Sequence, residues 1–163
     1  MKEFNYNTSE RFADVQLLRY RLNGFEELTL RQKQYIYYLS EAALWGRDIT
    51  FDQFGRYNLD IRLILEQVYT CKTVDHDTDD FRALETYLKR VWFSSGIYHH
   101  YGCEKFVPGF SADYLRSCMA EAGLGQLSAE LERVIFDPGY LPKRVNKADG
   151  EDLVVTSACN FYE

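Results

Sequence analysis

The chain has 163 residues, 46% of them hydrophobic and 27% charged, which is long enough to bury a core and excludes a disordered polymer or a bundle of membrane spans. No stretch approaches the roughly 20 apolar residues that a bilayer helix needs. The formal net charge of -6 argues against a general nucleic-acid or anionic-membrane surface, because both need clustered positive charge.

Length favours one domain over residues 1–163. The opening MKEFNYNTSE has no apolar h-region, so no secretory signal is expected there. Residues 13–22, ADVQLLRYRL, alternate apolar Val15 and Leu17 with polar Asp14 and Gln16, which predicts a strand. Asn23-Gly24 then breaks it, since both residues tolerate positive φ. TLRQKQYIYYLSEAALWG (29–46) predicts a helix. Thr29 and Gln32 form a T-x-x-Q capping box, and Gly46 supplies the stop. Ile36, Leu39 and Ala43 make one apolar stripe, and Tyr35, Tyr38, Ala42 and Trp45 an adjacent one. Together they predict burial over more than half the circumference.

Residues 48–58 are expected to be a loop turning at Gly55, with Asn58 capping a second helix to about Lys72. Ile61, Leu65 and Val68 recur in it at i, i+4 and i+7. After an acidic link, a third helix begins at Asp79 or Asp80 and runs to Phe93, with Phe81, Leu84, Leu88 and Val91 on its apolar face. Ser94-Ser95-Gly96 ends it. The glycine-bounded segment 97–110 has no period and is expected to be a structured loop. Ser111 and Ser128 cap two short helices, Asp137-Pro138-Gly139 turns the chain, and β-branched residues predict a strand over 152–161.

The expected fold is therefore mainly α, a helical domain with one or two short β-strands. Two strands alone make a marginal sheet. Thirteen Tyr, eleven Phe and two Trp suit either a dense core or a surface that a larger whole would bury. Apolar area is expected to lie uncovered along the 79–93 helix or the 152–161 strand, available to a larger assembly or a self-associating partner.

Little in the sequence points to catalysis within the chain. Cys71, Cys103, Cys118 and Cys159 form no C-x-x-C pair, so reduced thiols and a cytoplasmic location are expected rather than a zinc knuckle or disulfide framework. His99 and His100 are adjacent, and on an extended backbone they would point to opposite sides, which suits two ligands of one metal poorly. His76 sits among aspartates, but VDHDTDDFRALE lacks the glycine of an EF-hand loop. There is no G-x-S-x-G elbow, and GLGQL (123–127) lacks the Lys-Ser/Thr of a phosphate loop. No catalytic and no metal-ligating residue is expected. The densest set of binding groups is Tyr98, His99, His100, Tyr101, Glu104 and Lys105. The loop either presents these groups to a ligand or folds under its own aromatic rings with the histidines satisfied by backbone. His99, His100, Tyr101 and Lys105 are the candidate substrate-binding residues under the first reading.

Three segments, residues 12–49, 87–115 and 143–163, resemble the N-terminal part of dipeptidyl peptidase III, especially the Bacteroidetes-type enzymes. Where that family often carries G-I-H-H-H-Y-G, this chain has Gly96-Ile97-Tyr98-His99-His100-Tyr101-Gly102, with Tyr98 replacing the first histidine. The resemblance implies a two-lobed zinc exopeptidase that releases dipeptides from peptide N-termini. It further implies that this chain corresponds to part of the lobe lacking the metal. The family's H-E-x-x-G-H motif is absent here, so the implied role is a cleft wall, inactive by itself, that closes on short peptides. Zinc is expected only in the full-length parent. The alternative expectation is a free-standing helical binding module.

Overall fold

The computed structural model describes residues 10–144, and within them the fold is mainly α. The chain divides into two compact units, Met1–Asp48 and Ile49–Glu163.

The first unit opens on a two-stranded antiparallel hairpin, β1 (Arg11–Phe12) and β2 (Val15–Gln16), pairing Arg11 with Gln16 and Phe12 with Val15. The strand expected over 13–22 is thus only two residues of that span. Ala13 takes φ 47° at the turn, and past Gln16 the run Leu17-Leu18-Arg19 abandons the alternation that a paired strand requires. Gly24 sits at φ 82°, which glycine adopts without steric cost, and leads into a single 3-10 turn at Phe25–Glu27.

Helix α1 (Leu30–Trp45) begins at the expected capping box. The Gln32 N–H donates to Thr29 Oγ1 at 3.3 Å, and the Thr29 N–H donates to Gln32 Oε1 at 2.9 Å. Its burial departs from expectation, since α1 contains no buried residue and Trp45 is 88% exposed. An apolar stripe says which side a helix would bury, but burial needs an opposing surface. The hairpin and 3-10 turn of this unit are too small to supply one.

The second unit holds the core. Residues expected to be a loop form helix α2 (Arg47–Phe54), which carries buried Phe51. Helix α3 (Asn58–Thr70) buries Ile61, Leu65 and Val68, the predicted stripe. It packs against α4 (Asp79–Ser94), which buries Phe81, Leu84, Leu88 and Val91, and against α5 (Ala112–Glu121), which buries Leu115, Cys118 and Met119. Helix α6 (Ala129–Phe136) adds Val134 and Ile135. Each fully buried Leu, Ile or Val contributes about 1.5–3 kcal/mol. Helix α4 therefore faces the core, and only Trp92 and Phe93 near its end leave large apolar area exposed. The uncovered aromatic surface lies on α1 instead of this helix. The strand expected at 152–161 falls outside the described residues.

Three predicted caps, Thr29, Ser111 and Ser128, are as read from the sequence. The Oγ atoms of Ser111 and Ser128 each accept a backbone N–H at 3.1 Å. Helix α4 begins at Asp79, as expected, and is capped by Thr78, whose Oγ1 accepts from the Phe81 N–H at 3.1 Å. Asn58 makes no cap at all. Its carboxamide is buried and turned toward residues 96–97.

Cys71, Cys103 and Cys118 are free thiols. Among the described residues no helix is long and apolar enough to cross a membrane.

Candidate functional site

Helix α4 delivers the chain into the segment 96–106. Ser95 takes the left-handed φ of 54°. The Ser95 N–H donates to Trp92 O at 3.4 Å and the Gly96 N–H to Val91 O at 3.0 Å, the pairing of a Schellman stop. The segment then folds back on itself. The His99 N–H donates to Glu104 O at 2.8 Å, and the Phe106 N–H donates to Ile97 O at 2.8 Å. Tyr98 and Lys105 form an antiparallel bridge, and Glu104 forms another with Lys143. Ile97 and Phe106 are buried beneath, fixing the base of this hairpin-like loop to the core.

The tip is closed by His99 itself. Its Nδ1 accepts the Tyr101 N–H at 3.2 Å and the Gly102 N–H at 3.1 Å, while the Cys103 N–H donates to His99 O at 2.9 Å. This tight turn, with Cys103 at φ 62°, overturns the expectation that the two histidines point apart. Their rings stack at 4.4 Å between centroids, 28° from parallel. The argument from alternation holds for extended backbone, and here the backbone is turned.

An aromatic surface results. The Tyr101 ring lies 4.4 Å from His100 and is 84% exposed. Phe93, on the last turn of α4, meets His100 edge-on at 4.9 Å. Phe106 meets His99 edge-on at 6.1 Å and carries the Arg90 guanidinium 4.1 Å above its ring, close enough for a cation–π attraction. Arg90, Phe93 and Phe106 were not legible as members of this group. Arg90 and Phe93 sit three apart on the helix, and nothing local says that a loop seven residues later returns to them.

Lys105 does not join that surface. Its ammonium donates to the carbonyl oxygens of Val134 at 3.0 Å and of Asp137 and Tyr140 at 2.5 Å each. An ammonium has three donors, and all three are engaged at the C-terminal end of α6, where carbonyls lack helical partners. Burial pushes its pKa below the ordinary lysine value. Of the four candidate residues, the fold brings His99, His100 and Tyr101 together and commits Lys105 elsewhere.

The described residues do not fit a zinc ion. No group of three or more His, Cys, Asp or Glu side chains gathers among them, and His99 Nδ1 is already an acceptor for two backbone donors. Compared with models of protein families the chain matches none, and no curated protein matches it.

Proposed function

We propose that this chain forms a peptide-contacting, non-catalytic wall in a dipeptidyl peptidase III-like zinc exopeptidase. The resemblance of residues 12–49, 87–115 and 143–163 to that family supports the assignment. The observation that carries it to a surface is the His99–His100–Tyr101 cluster. A rigid base holds it to the core while Tyr101 stays exposed, the arrangement in which loops present binding groups. The imidazole and phenol groups bond peptide carbonyls or a terminal carboxylate, and the ring faces of Phe93 and Tyr101 cover apolar side chains. Lys105 is removed from the contact set, and Arg90, over the Phe106 ring, is a cation beside it.

The test is a pair of measurements on the 163-residue chain. Assayed with added zinc against dipeptidyl-naphthylamides, it should give no turnover. Chelator-sensitive hydrolysis would overturn the non-catalytic assignment. Titrated with tetrapeptides, it should show chemical-shift changes concentrated at residues 98–107, and unchanged shifts there at millimolar peptide would overturn the contact surface.

The exposed Tyr35, Tyr38 and Trp45 of α1 favour a second reading, a helical interaction module whose partner covers that helix. Peptide-induced shifts confined to α1 would select it.

A further inference from the structure

We infer that the His99–Cys103 turn is a pH-sensitive latch, closed by a neutral His99 imidazole and released when that ring is protonated. This stands on the geometry of the turn and is independent of whether the loop meets peptide. The Tyr101 and Gly102 N–H groups both point at His99 Nδ1, at 3.2 and 3.1 Å. A ring nitrogen accepts only through a free lone pair, so the proton of the neutral ring sits on Nε2. A proton added at Nδ1 replaces the acceptor with a donor. Two backbone N–H groups then face an N–H, and both bonds are lost.

The release is local. The hydrogen bonds from the His99 N–H to Glu104 O and from the Phe106 N–H to Ile97 O involve groups that do not titrate. The base of the loop, and the bond from the Cys103 N–H to His99 O at 2.9 Å, therefore stay paired, and the release is confined to the Tyr101 and Gly102 N–H groups at the tip. The tip carries the exposed Tyr101 ring and the His100 ring stacked at 4.4 Å on His99. A charge on His99 faces this second imidazole directly. Tyr101, Cys103 and Glu104 are the other titratable groups of the turn. From the packed elements come Arg90 of α4, lying over the Phe106 ring, and the cations Lys143 and Arg144, whose Nη2 reaches to 4.0 Å from Cys103 Sγ. The latch is closed while the His99 ring is neutral and opens when Nδ1 takes a proton.

The experiment uses the full 163-residue chain labelled with 15N. At pH 8, long-range ring correlations should show His99 as the Nε2–H tautomer. Between pH 8 and pH 5, amide protection factors of Tyr101 and Gly102 should fall about tenfold, with a midpoint matching the His99 ring titration. The amides of His99 and Phe106 should keep theirs. In His99→Asn the side-chain oxygen can accept from the same two N–H groups but cannot titrate, so protection at 101 and 102 should be flat over that range. An Nδ1–H tautomer at pH 8, unchanged protection in the wild type while His99 titrates, or an undiminished pH response in His99→Asn would each overturn the inference. The wild-type measurements decide the matter if the variant does not fold.

Discussion

The Asn58 carboxamide oxygen accepts the Ile97 N–H at 3.2 Å across 39 residues of sequence. This bond ties the start of α3 to the exit of α4, directly beneath the candidate site. Asn58 is only 1% exposed, and Gly55 and Gly96 both give it room. A Cβ built on Gly96 would lie within 2.6 Å of the Asn58 carboxamide carbon.

Asn58→Ala should therefore destabilise the chain by about 2–3 kcal/mol, since it orphans a buried backbone donor and leaves a cavity. Gly96→Ala should cost a similar amount by forcing that carboxamide aside. Urea unfolding monitored by circular dichroism measures both. If each side chain can reposition freely, the midpoints will match the wild type.

Lys105→Met should lower stability by about 3 kcal/mol, because three carbonyl oxygens at the end of α6 lose a charged donor. A lysine held out for a ligand would give a different result, with stability within about 0.5 kcal/mol of wild type, as surface changes do. Thermal unfolding separates the two.

The Tyr57 and Tyr140 hydroxyls both donate to Glu130 Oε1, at 2.6 and 3.1 Å. These bonds hold the Glu130 carboxyl below its usual pKa, the Tyr57 hydroxyl most of all. A folded-state pKa below the unfolded one means stability present above the unfolded value and lost as pH falls toward the folded one. Stability of the wild type should decline on acidification through the carboxylate range. Glu130→Gln should decline less steeply over the same interval. Parallel pH curves from denaturant titrations would refute the linkage.

Replacing Tyr35, Tyr38 and Trp45 of α1 together with serine should leave the unfolding of the second unit unchanged within about 0.5 kcal/mol. It should also reduce binding of a hydrophobic dye, since these rings are among the largest exposed apolar groups. If the rings were packed within the folded chain, the substitutions would cost several kcal/mol and increase dye binding.

The sequence by itself determined what depends on neighbours three or four residues apart. The Thr29–Gln32 box, the Ser111 and Ser128 caps, and the stripes of α3 and α4 are each complete within one or two turns of chain, so composition and spacing reveal them. Helix α2 escaped because ITFDQF carries no sustained apolar period, and what packs it, the burial of Phe51 under the Arg62 guanidinium 4.6 Å from its ring, is a tertiary contact. Tertiary structure alone decided where polar side chains end. Asn58 looked like a cap and instead serves residue 97. Lys105 looked like a ligand group and instead closes α6, more than 25 residues away. The two histidines looked divergent and instead stack. For Asn58 and Lys105 the deciding partner is remote in sequence, and their donors and acceptors go to the backbone groups the fold brings within hydrogen-bond distance; for the histidines the partners are neighbours, and it is the turned backbone of residues 99–103 that brings the rings together.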